Sequence, residues 1–291
     1  MPFTTTVVSF LKRIWHLSLH ISTVVMAGFF RWLFRHIPFI GYHHVISTIL
    51  SIAILCHCLL LAGVSRGPVS FPSIYTLELR YNDQWPSAET GNDIFNQTFV
   101  LPPEAARLRA RAGYFGICIQ TTDKPWSCAS AYDQLPLALR SVPDPFNIMS
   151  TADQFRSGVL FPGLILLCEV LAFLGIVGLL SFPGWSEETD TDGSIMQVKP
   201  FPSMQISKAA VVALTFATAL AFASALWQHT SAAAIASLAE TTSRGLVHAS
   251  VGGSASALAW VSFFLLILSD IAIVVMVLSI IVLDRLIADD D

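Results

Sequence analysis

Charged residues are scarce in this sequence, and several motifs that carry enzyme chemistry are missing. Only 12% of the 291 residues are Asp, Glu, Lys or Arg, whereas about 25% is usual in a soluble domain. The sequence has no basic stripe suited to nucleic acid, no P-loop and no H-E-x-x-H metal motif. We therefore expect no nucleic-acid partner, no cofactor and no enzyme activity. The 54% hydrophobic content indicates a membrane protein.

Four apolar stretches are long enough to cross a bilayer, which requires about 20 mainly apolar residues each. The predicted spans cover residues 44–66, 158–182, 208–228 and 257–284. An even number of spans puts both chain ends on the same side of the membrane. The sequence thus predicts an all-α transmembrane four-helix bundle.

The orientation of the bundle follows from the basic residues of its flanks. The first 43 residues contain Lys12, Arg13, Arg31 and Arg35 and no acidic residue. Such an excess of positive charge favours the cytosolic side. The predicted cytosolic segments are therefore 1–43, 183–207 and 285–291, and the predicted outer segments are 67–157 and 229–256. The loop 183–207 is acidic, but acidic residues contribute little to orientation.

The N-terminal segment allows more than one interpretation. On a helical wheel its apolar residues lie on one face and its basic and polar residues gather on another. This pattern favours a helix lying on the inner leaflet and contacting membrane lipid. A fifth span over residues 14–34 remains the alternative. A cleavable signal peptide fits less well, because Arg31 and Trp32 follow the apolar stretch.

Cys118 and Cys128 are the only cysteines outside the predicted spans; the others are Cys56, Cys58 and Cys168. A disulfide, a metal site and a pair of free thiols are the alternatives for this pair. An oxidising outer compartment favours the disulfide. Zinc normally takes four ligands, and no histidine lies between residues 58 and 228. The acceptor triplet at Asn96 predicts N-glycosylation, which is possible only on the outer side.

The outer segment 67–157 is predicted to form a small antiparallel β-domain. Residues 73–82 and 112–121 are rich in β-branched and aromatic side chains, which is typical of strands, and residues 102–113 can form a short helix. A domain of this size needs a staple such as the predicted disulfide. Gly113 and Gly116 would allow close strand packing. We expect the Trp126 side chain to pack over the disulfide.

One predicted span carries a row of small side chains at four-residue spacing. The row consists of Ala209, Ala213, Ala217, Ala221 and Ala225. Because lipid provides no hydrophobic drive between helices, close packing of small residues has to hold them together. The row is therefore predicted to contact another span.

Three ionisable residues lie within the predicted spans, namely His57, Glu169 and Asp270. A buried Asp near the centre of a spanning helix costs at least ~2.5–3.5 kcal/mol. The three residues are predicted to lie in the outer half or near the midplane of the bilayer. They form either a set of interhelical hydrogen bonds or a polar cluster that senses protons or coordinates a passing cation. Whether they bind a metal is left open.

The motif residues Gly113, Tyr114, Phe115, Gly116 and Cys118, followed by Trp126 and Cys128, resemble a known pattern. With four spans, cytosolic ends and a long first outer loop, the chain is similar to the claudin-type superfamily. The Gly-aromatic-x-Gly-x-Cys run is closer to a fungal branch, the pheromone-induced family of calcium regulators and membrane-fusion proteins. The Gly-Leu-Trp of animal claudins is Gly-Tyr-Phe here, and the outer loop is nearly twice as long, so paracellular sealing is not implied.

The resemblance implies a claudin-like plasma-membrane protein that regulates calcium influx and membrane fusion during mating or polarised growth. Its implied partners are calcium-channel subunits or further copies of itself, and a protein on the apposed cell. Two alternatives remain. One is a structural organiser of adhesion or polarity, and the other is a cation channel or transporter lined by His57, Glu169 and Asp270.

Overall fold

The computed structural model describes residues 42–66, 71–82, 107–121, 125–181, 186–189, 195–198 and 204–290. The chain divides into the units Met1–Val45 and Ile46–Asp291, and only residues 42–45 of the first unit are described. The predictions for the N-terminal segment and for glycosylation at Asn96 lie outside the described residues.

The fold combines long helices with short strands. The helices are α1 (Tyr42–Ala62), α2 (Leu137–Arg140), α3 (Ile148–Gly158), α4 (Pro162–Leu180), α5 (Met204–Thr242) and α6 (Gly253–Asp290). The strands are β1 (Leu77–Tyr81), β2 (Arg109–Ala112), β3 (Ile117–Gln120), β4 (Ser127–Ala129), β5 (Ser186–Thr189), β6 (Ile195–Val198) and β7 (Val247–Val251).

Four of the described helices, α1, α4, α5 and α6, are long and apolar enough to cross a membrane. Their outward faces carry large apolar side chains such as Phe173, Phe216 and Phe264, which are 60%, 62% and 60% exposed. Extensive exposed apolar surface of this kind is typical of a face that contacts lipid or another protein. The prediction of a mostly helical chain with four helices suited to span a membrane is confirmed.

Helix α5 is much longer than the span predicted for it. It contains 39 residues, which at 1.5 Å per residue is about 58 Å, roughly twice the ~30 Å hydrocarbon thickness. The sequence predicts that this span ends at residue 228 and that residues 229–256 form an outer loop. The helix instead continues to Thr242, because residues 229–242 are rich in the strong helix former alanine although they are too polar to be recognised as a span.

A five-stranded antiparallel sheet lies at the end of the bundle where α1 ends and where α4 and α6 begin; we call this end the sheet side. The strand order is β4-β3-β2-β1-β7. Strand β7 follows α5 in sequence and pairs with β1, with Leu77 opposite Val251. The sheet is therefore assembled from both segments that were predicted to lie outside, rather than from the first alone.

The predicted small antiparallel sheet is confirmed, with one local correction. The helix predicted over residues 102–113 is wrong at Arg109–Ala112, which forms β2. This strand lies between β1 and β3 and pairs with both of them. Tertiary pairing on both sides overrides the local preference of this segment.

The sheet is covered by helices that bury its apolar side chains. Helix α3 lies against β1, β2 and β3 and buries Ile148, Met149 and Phe155. The sheet-side half of α5 packs on β7 and β1. These contacts form one core that is continuous with the sheet side of the bundle. The sheet together with α3, which we call the outer domain because it is predicted to lie outside, is thus seated on the four apolar helices.

Inside the bundle, small side chains let the helices approach closely. Helix α5 packs against both α4 and α6. Ser262 Oγ donates to the Ala53 carbonyl oxygen at 3.2 Å, and Cys168 Sγ donates to the Ala217 carbonyl oxygen at 3.3 Å. Backbone groups are within reach of a neighbouring helix only where the residues between are small, which is the usual packing in membranes.

The alanine row of α5 contributes to this packing over only part of its length. Ala217, Ala221 and Ala225 are 0%, 1% and 2% exposed, whereas Ala213 is half-buried and Ala209 is exposed. Four residues of an α-helix turn about 400°, which is 40° more than a full turn. Each member of a row spaced four residues apart is therefore rotated by about 40° from the one before it. Over five members this rotation moves the far end of the row off the buried face.

The segment predicted as the acidic loop 183–207 contains a two-stranded hairpin. Strands β5 and β6 pair antiparallel, with Glu188 opposite Met196. The hairpin joins α4 to α5 at the end of the bundle away from the sheet. Its cytosolic location remains a prediction.

Candidate functional sites

His57 and Glu169 face each other between α1 and α4. His57 Nδ1 lies 2.5 Å from Glu169 Oε1, and the two side chains are 2% and 14% exposed. The other carboxylate oxygen, Glu169 Oε2, is buried without a hydrogen-bond partner. Counted from the sheet-side ends of their helices, the residues lie about 8 and 10 Å deep. The structure thus pairs two of the three predicted intramembrane polar residues.

Cys168 completes a group of three potential ligands. Its side chain is fully buried, and the ligand atoms of His57, Cys168 and Glu169 all lie within 4.8 Å of one another. Sequence reasoning placed Cys168 in a span but assigned no role to it. The only hint in the sequence is that Cys168 is adjacent to Glu169. Adjacent residues of a helix point in different directions, so this hint does not show that both side chains reach His57.

Asp270 occupies a different place in the bundle. The Thr215 hydroxyl donates to its two carboxylate oxygens at 3.1 and 3.3 Å, across the contact between α5 and α6. Asp270 lies about 25 Å along its helix from the sheet-side end at Gly253, roughly 15 Å deeper than Glu169. The structure does not bring it to the His57–Glu169 pair.

The Gly-aromatic motif of the outer domain is the tip of the hairpin between β2 and β3. The Gly113 N–H donates to the Gly116 carbonyl oxygen at 3.0 Å. A Cβ atom on Gly113 would lie 2.6 Å from Val64 Cβ, and one on Gly116 would lie 2.8 Å from the Ala129 carbonyl oxygen. Both positions therefore leave room for hydrogen only, which gives the two glycines a packing role at this tip.

The two aromatic residues of the tip point to different surroundings. Tyr114 is 5% exposed, whereas Phe115 is 42% exposed. The Tyr114 hydroxyl donates to Gln228 Oε1 on α5 at 3.0 Å. Burial raises the pKa of Tyr114 to about 12. Sequence reasoning missed Gln228, because its partner is 114 residues away and no local pattern connects them.

The predicted disulfide between Cys118 and Cys128 is present. The two residues lie directly opposite each other on the antiparallel strands β3 and β4. The covalent link therefore holds the edge strand of the sheet, which is only three residues long.

Arg111 forms a clamp at the centre of the outer domain. Its guanidinium donates to Glu78 Oε2 at 2.7 Å and to the Pro72 carbonyl oxygen at 2.8 Å. The group also lies 4.3 Å from the ring centre of Tyr75 and 4.2 Å from that of Trp126. A guanidinium stacked on aromatic faces combines charge with apolar contact. Trp126, which was expected over the disulfide, serves as one face of this stack.

Asp144 organises the start of α3. Its carboxylate accepts hydrogen bonds from the backbone N–H groups of Ile148 and Met149, both at 3.0 Å, and from the Tyr81 hydroxyl at 2.6 Å. These bonds satisfy N–H groups that a helix end leaves free. Burial, and then the bond to Asp144, hold the pKa of Tyr81 above its ordinary value. The Asp144 carboxylate is thus used to support the fold.

Comparison with known families places these features in context. The family described as Ca2+ regulator and membrane fusion protein Fig1 matches residues 94–279. That range includes the hairpin tip, the disulfide, Glu169 and Asp270. A comparison with curated proteins finds no match. Because the family match covers more than half of the 291 residues, the chain belongs to the Fig1 family of Ca2+ regulators and membrane fusion proteins.

Proposed function

We propose that this chain is a plasma-membrane protein that promotes calcium influx and membrane fusion where two cells meet, during mating or polarised growth. Membership of the family carries the calcium and fusion parts of this proposal. The four apolar helices support a multi-pass membrane location. The role in mating and the plasma-membrane location rest on the family resemblance, and the proposed role is not enzymatic.

The proposed topology is claudin-like, with the sheet outside the cell and both chain ends in the cytosol. Two observations support it. The sheet contains the Cys118–Cys128 disulfide, and disulfides persist in oxidising compartments. The N-terminal segment contains four basic residues and no acidic ones, which favours the cytosolic side.

The observation that carries the proposed mechanism is the attachment of the outer domain to the bundle. Helix α5 continues from the bundle into the outer domain, where it packs on β7 and β1. Tyr114 at the hairpin tip is bonded to Gln228 of the same helix. A partner protein on the apposed cell would therefore bind a domain that is seated on the spanning helices. The lipid-facing surface of those helices would contact channel subunits or further copies of this chain.

An accessory role fits the bundle better than a conducting one. His57 and Glu169 are paired with each other, and Asp270 is engaged by Thr215 on a different helix pair. A pore lined by these residues would require them to face one continuous path. We therefore propose that the chain assists a calcium channel instead of forming one.

Two measurements on the full chain test this proposal. Calcium uptake by cells that lack the protein should rise when it is restored, whereas the purified chain in liposomes should give no calcium flux. Calcium flux in liposomes would show that the chain forms a channel itself and would contradict the accessory role. Unchanged uptake in the restored cells would instead favour a structural organiser of adhesion.

The variant D270N provides a sharper control on the channel alternative. The change keeps the side-chain shape but removes the carboxylate of Asp270, which lies outside the His57–Glu169 pair. Under the accessory role, cells that express this variant at normal surface levels retain calcium uptake. Loss of uptake at normal surface expression would contradict the accessory role.

A further inference from the structure

We infer that His57, Cys168 and Glu169 form a binding site for a borderline-soft divalent metal ion, best matched by Zn²⁺, inside the spanning bundle. Their ligand atoms lie within 4.8 Å of one another. The Cys168 and His57 side chains are 0% and 2% exposed. Glu169 Oε2 is buried and has no hydrogen-bond partner, so it is an acceptor that the present contacts leave unused.

The ligand types determine which metal fits. An imidazole nitrogen, a thiolate sulfur and a carboxylate oxygen are the ligands that zinc takes in proteins. Calcium prefers six to eight oxygen ligands, so a site with sulfur and nitrogen does not suit it. The inferred site is therefore separate from the calcium that the family regulates, and it does not depend on the proposed function.

Charge balance supports a divalent ion at this depth. A neutral imidazole, a thiolate and a carboxylate carry two negative charges, which one divalent cation neutralises. Ligands bind zinc in their deprotonated form. The proton of the Cys168 thiol, which now donates to the Ala217 carbonyl oxygen, and any proton held between His57 and Glu169 would leave to solvent. A neutral complex avoids the large cost of a buried net charge.

The geometry requires only small movements. Zinc–ligand bonds of about 2.0–2.3 Å in a tetrahedral arrangement place neighbouring donor atoms about 3.5 Å apart. From the 4.8 Å limit, the most distant pair of donors would approach by at most about 1.3 Å. His57 Nδ1 and Glu169 Oε1, now 2.5 Å apart, would separate by about 1 Å. Two ligands are consecutive residues of α4 and the third comes from α1, so the ion would join these two helices. The fourth coordination position of the ion would be filled by Glu169 Oε2 or by water.

Cobalt provides an optical probe of this site. Co²⁺ takes the place of zinc in such sites, and a thiolate ligand adds an intense near-ultraviolet absorption to its visible bands. The purified full chain in detergent should show both on Co²⁺ addition, and Zn²⁺ should remove them. The variant C168S should lose the near-ultraviolet absorption. The matched controls C58S and C56S, which change thiols in α1 outside the group, should keep it.

Two further variants keep the inference testable if C168S does not fold. E169Q and H57Q should retain the thiolate absorption but bind Co²⁺ at least tenfold more weakly, with the disulfide intact as a check on folding. Zn²⁺ should raise the melting temperature of the unmodified chain more than that of E169Q. The inference is overturned by an unmodified chain without the thiolate absorption, by a folded C168S that keeps it, by its loss in C58S, or by unchanged affinity in E169Q.

Discussion

Tyr114 and Gln228 join the tip of a β-hairpin to helix α5. The Tyr114 hydroxyl donates to Gln228 Oε1 at 3.0 Å, and the two residues are 5% and 2% exposed. Gln228 lies where α5 passes from the bundle into the outer domain. This bond therefore connects the Gly-aromatic motif to α5, the helix that the bundle and the outer domain share.

Replacing Tyr114 by Phe should weaken the outer domain. The change leaves Gln228 Oε1 buried without its donor, which costs about 1–3 kcal/mol. Chemical unfolding in detergent should show this loss in the free energy of unfolding. The control Tyr132→Phe, at the margin of the same core, should stay within about 0.5 kcal/mol. Equal effects of both changes would show that the bond has no particular importance.

Alkaline pH should destabilise the outer domain through the same residue. The pKa of Tyr114 is raised to about 12 by burial, compared with about 10 in an unfolded chain. The folded state holds the phenol proton more tightly, so this stabilisation is complete below pH 10 and is lost as pH rises through 12. The free energy of unfolding should fall across this window. The fall should be smaller in Tyr114→Phe than in the unmodified chain.

Alanine at Gly116 should be destabilising, whereas alanine at Gly158 should not. A Cβ on Gly116 would meet the Ala129 carbonyl oxygen at 2.8 Å, while nothing lies within 4 Å of one on Gly158. Forcing an atom into a packed site costs about 1–3 kcal/mol. Melting temperatures of the two variants provide the measurement. A Gly116→Ala variant as stable as Gly158→Ala would contradict the packing role.

Replacing Arg111 by Met should cost about 3–5 kcal/mol, since it leaves the buried Glu78 carboxylate without a charged partner. Arg109 on the same strand supplies the control, and Arg109→Met should have a much smaller effect. The double change Arg111→Met with Glu78→Gln should recover part of the loss. A double variant no more stable than Arg111→Met would indicate that stacking on Tyr75 and Trp126, rather than charge, dominates.

Replacing Cys118 by Ser should prevent normal surface delivery. Loss of a native disulfide typically costs about 2–5 kcal/mol, and this one holds a strand of three residues. Cell-surface labelling should show retention of the variant in the secretory pathway. Cys56→Ser, which changes a thiol in α1, should reach the surface normally. Normal surface delivery and activity of the Cys118→Ser variant would contradict a structural role of the disulfide.

The parts of the fold set by composition were predictable from the sequence. Runs of apolar residues identify spanning helices because lipid leaves few alternatives. The cysteine pair could be found because it is short-range and alone outside the spans. The strand over Arg109–Ala112 was not predictable, since it depends on pairing with β1 and β3. Strand β7 likewise depends on a partner far away in the chain.

The intramembrane site was predictable only in part. His57 and Glu169 are conspicuous because ionisable residues are rare in spans. Cysteine is apolar enough to be taken for an ordinary packing residue. Only the structure shows that the Cys168 side chain lies close to His57 and Glu169. The sequence leaves open whether Asp270 joins them in one polar cluster, because depth along a helix does not determine which side chains face each other. Helix α6 begins at Gly253, four residues before the predicted span, and this moves Asp270 deeper along the helix.

The strand order β4-β3-β2-β1-β7 also has a consequence for biosynthesis. When the ribosome has made the first four strands, β1 is still an open edge, because β7 is encoded after the third span. Synthesis at about 5–20 residues per second leaves that edge unpaired for roughly 6 to 24 seconds, until β7 has been made. An unpaired edge strand can form hydrogen bonds with a strand of another chain. Nascent chains should therefore need a chaperone during this interval, and chains truncated before Val247 should be recognised as unfinished and degraded.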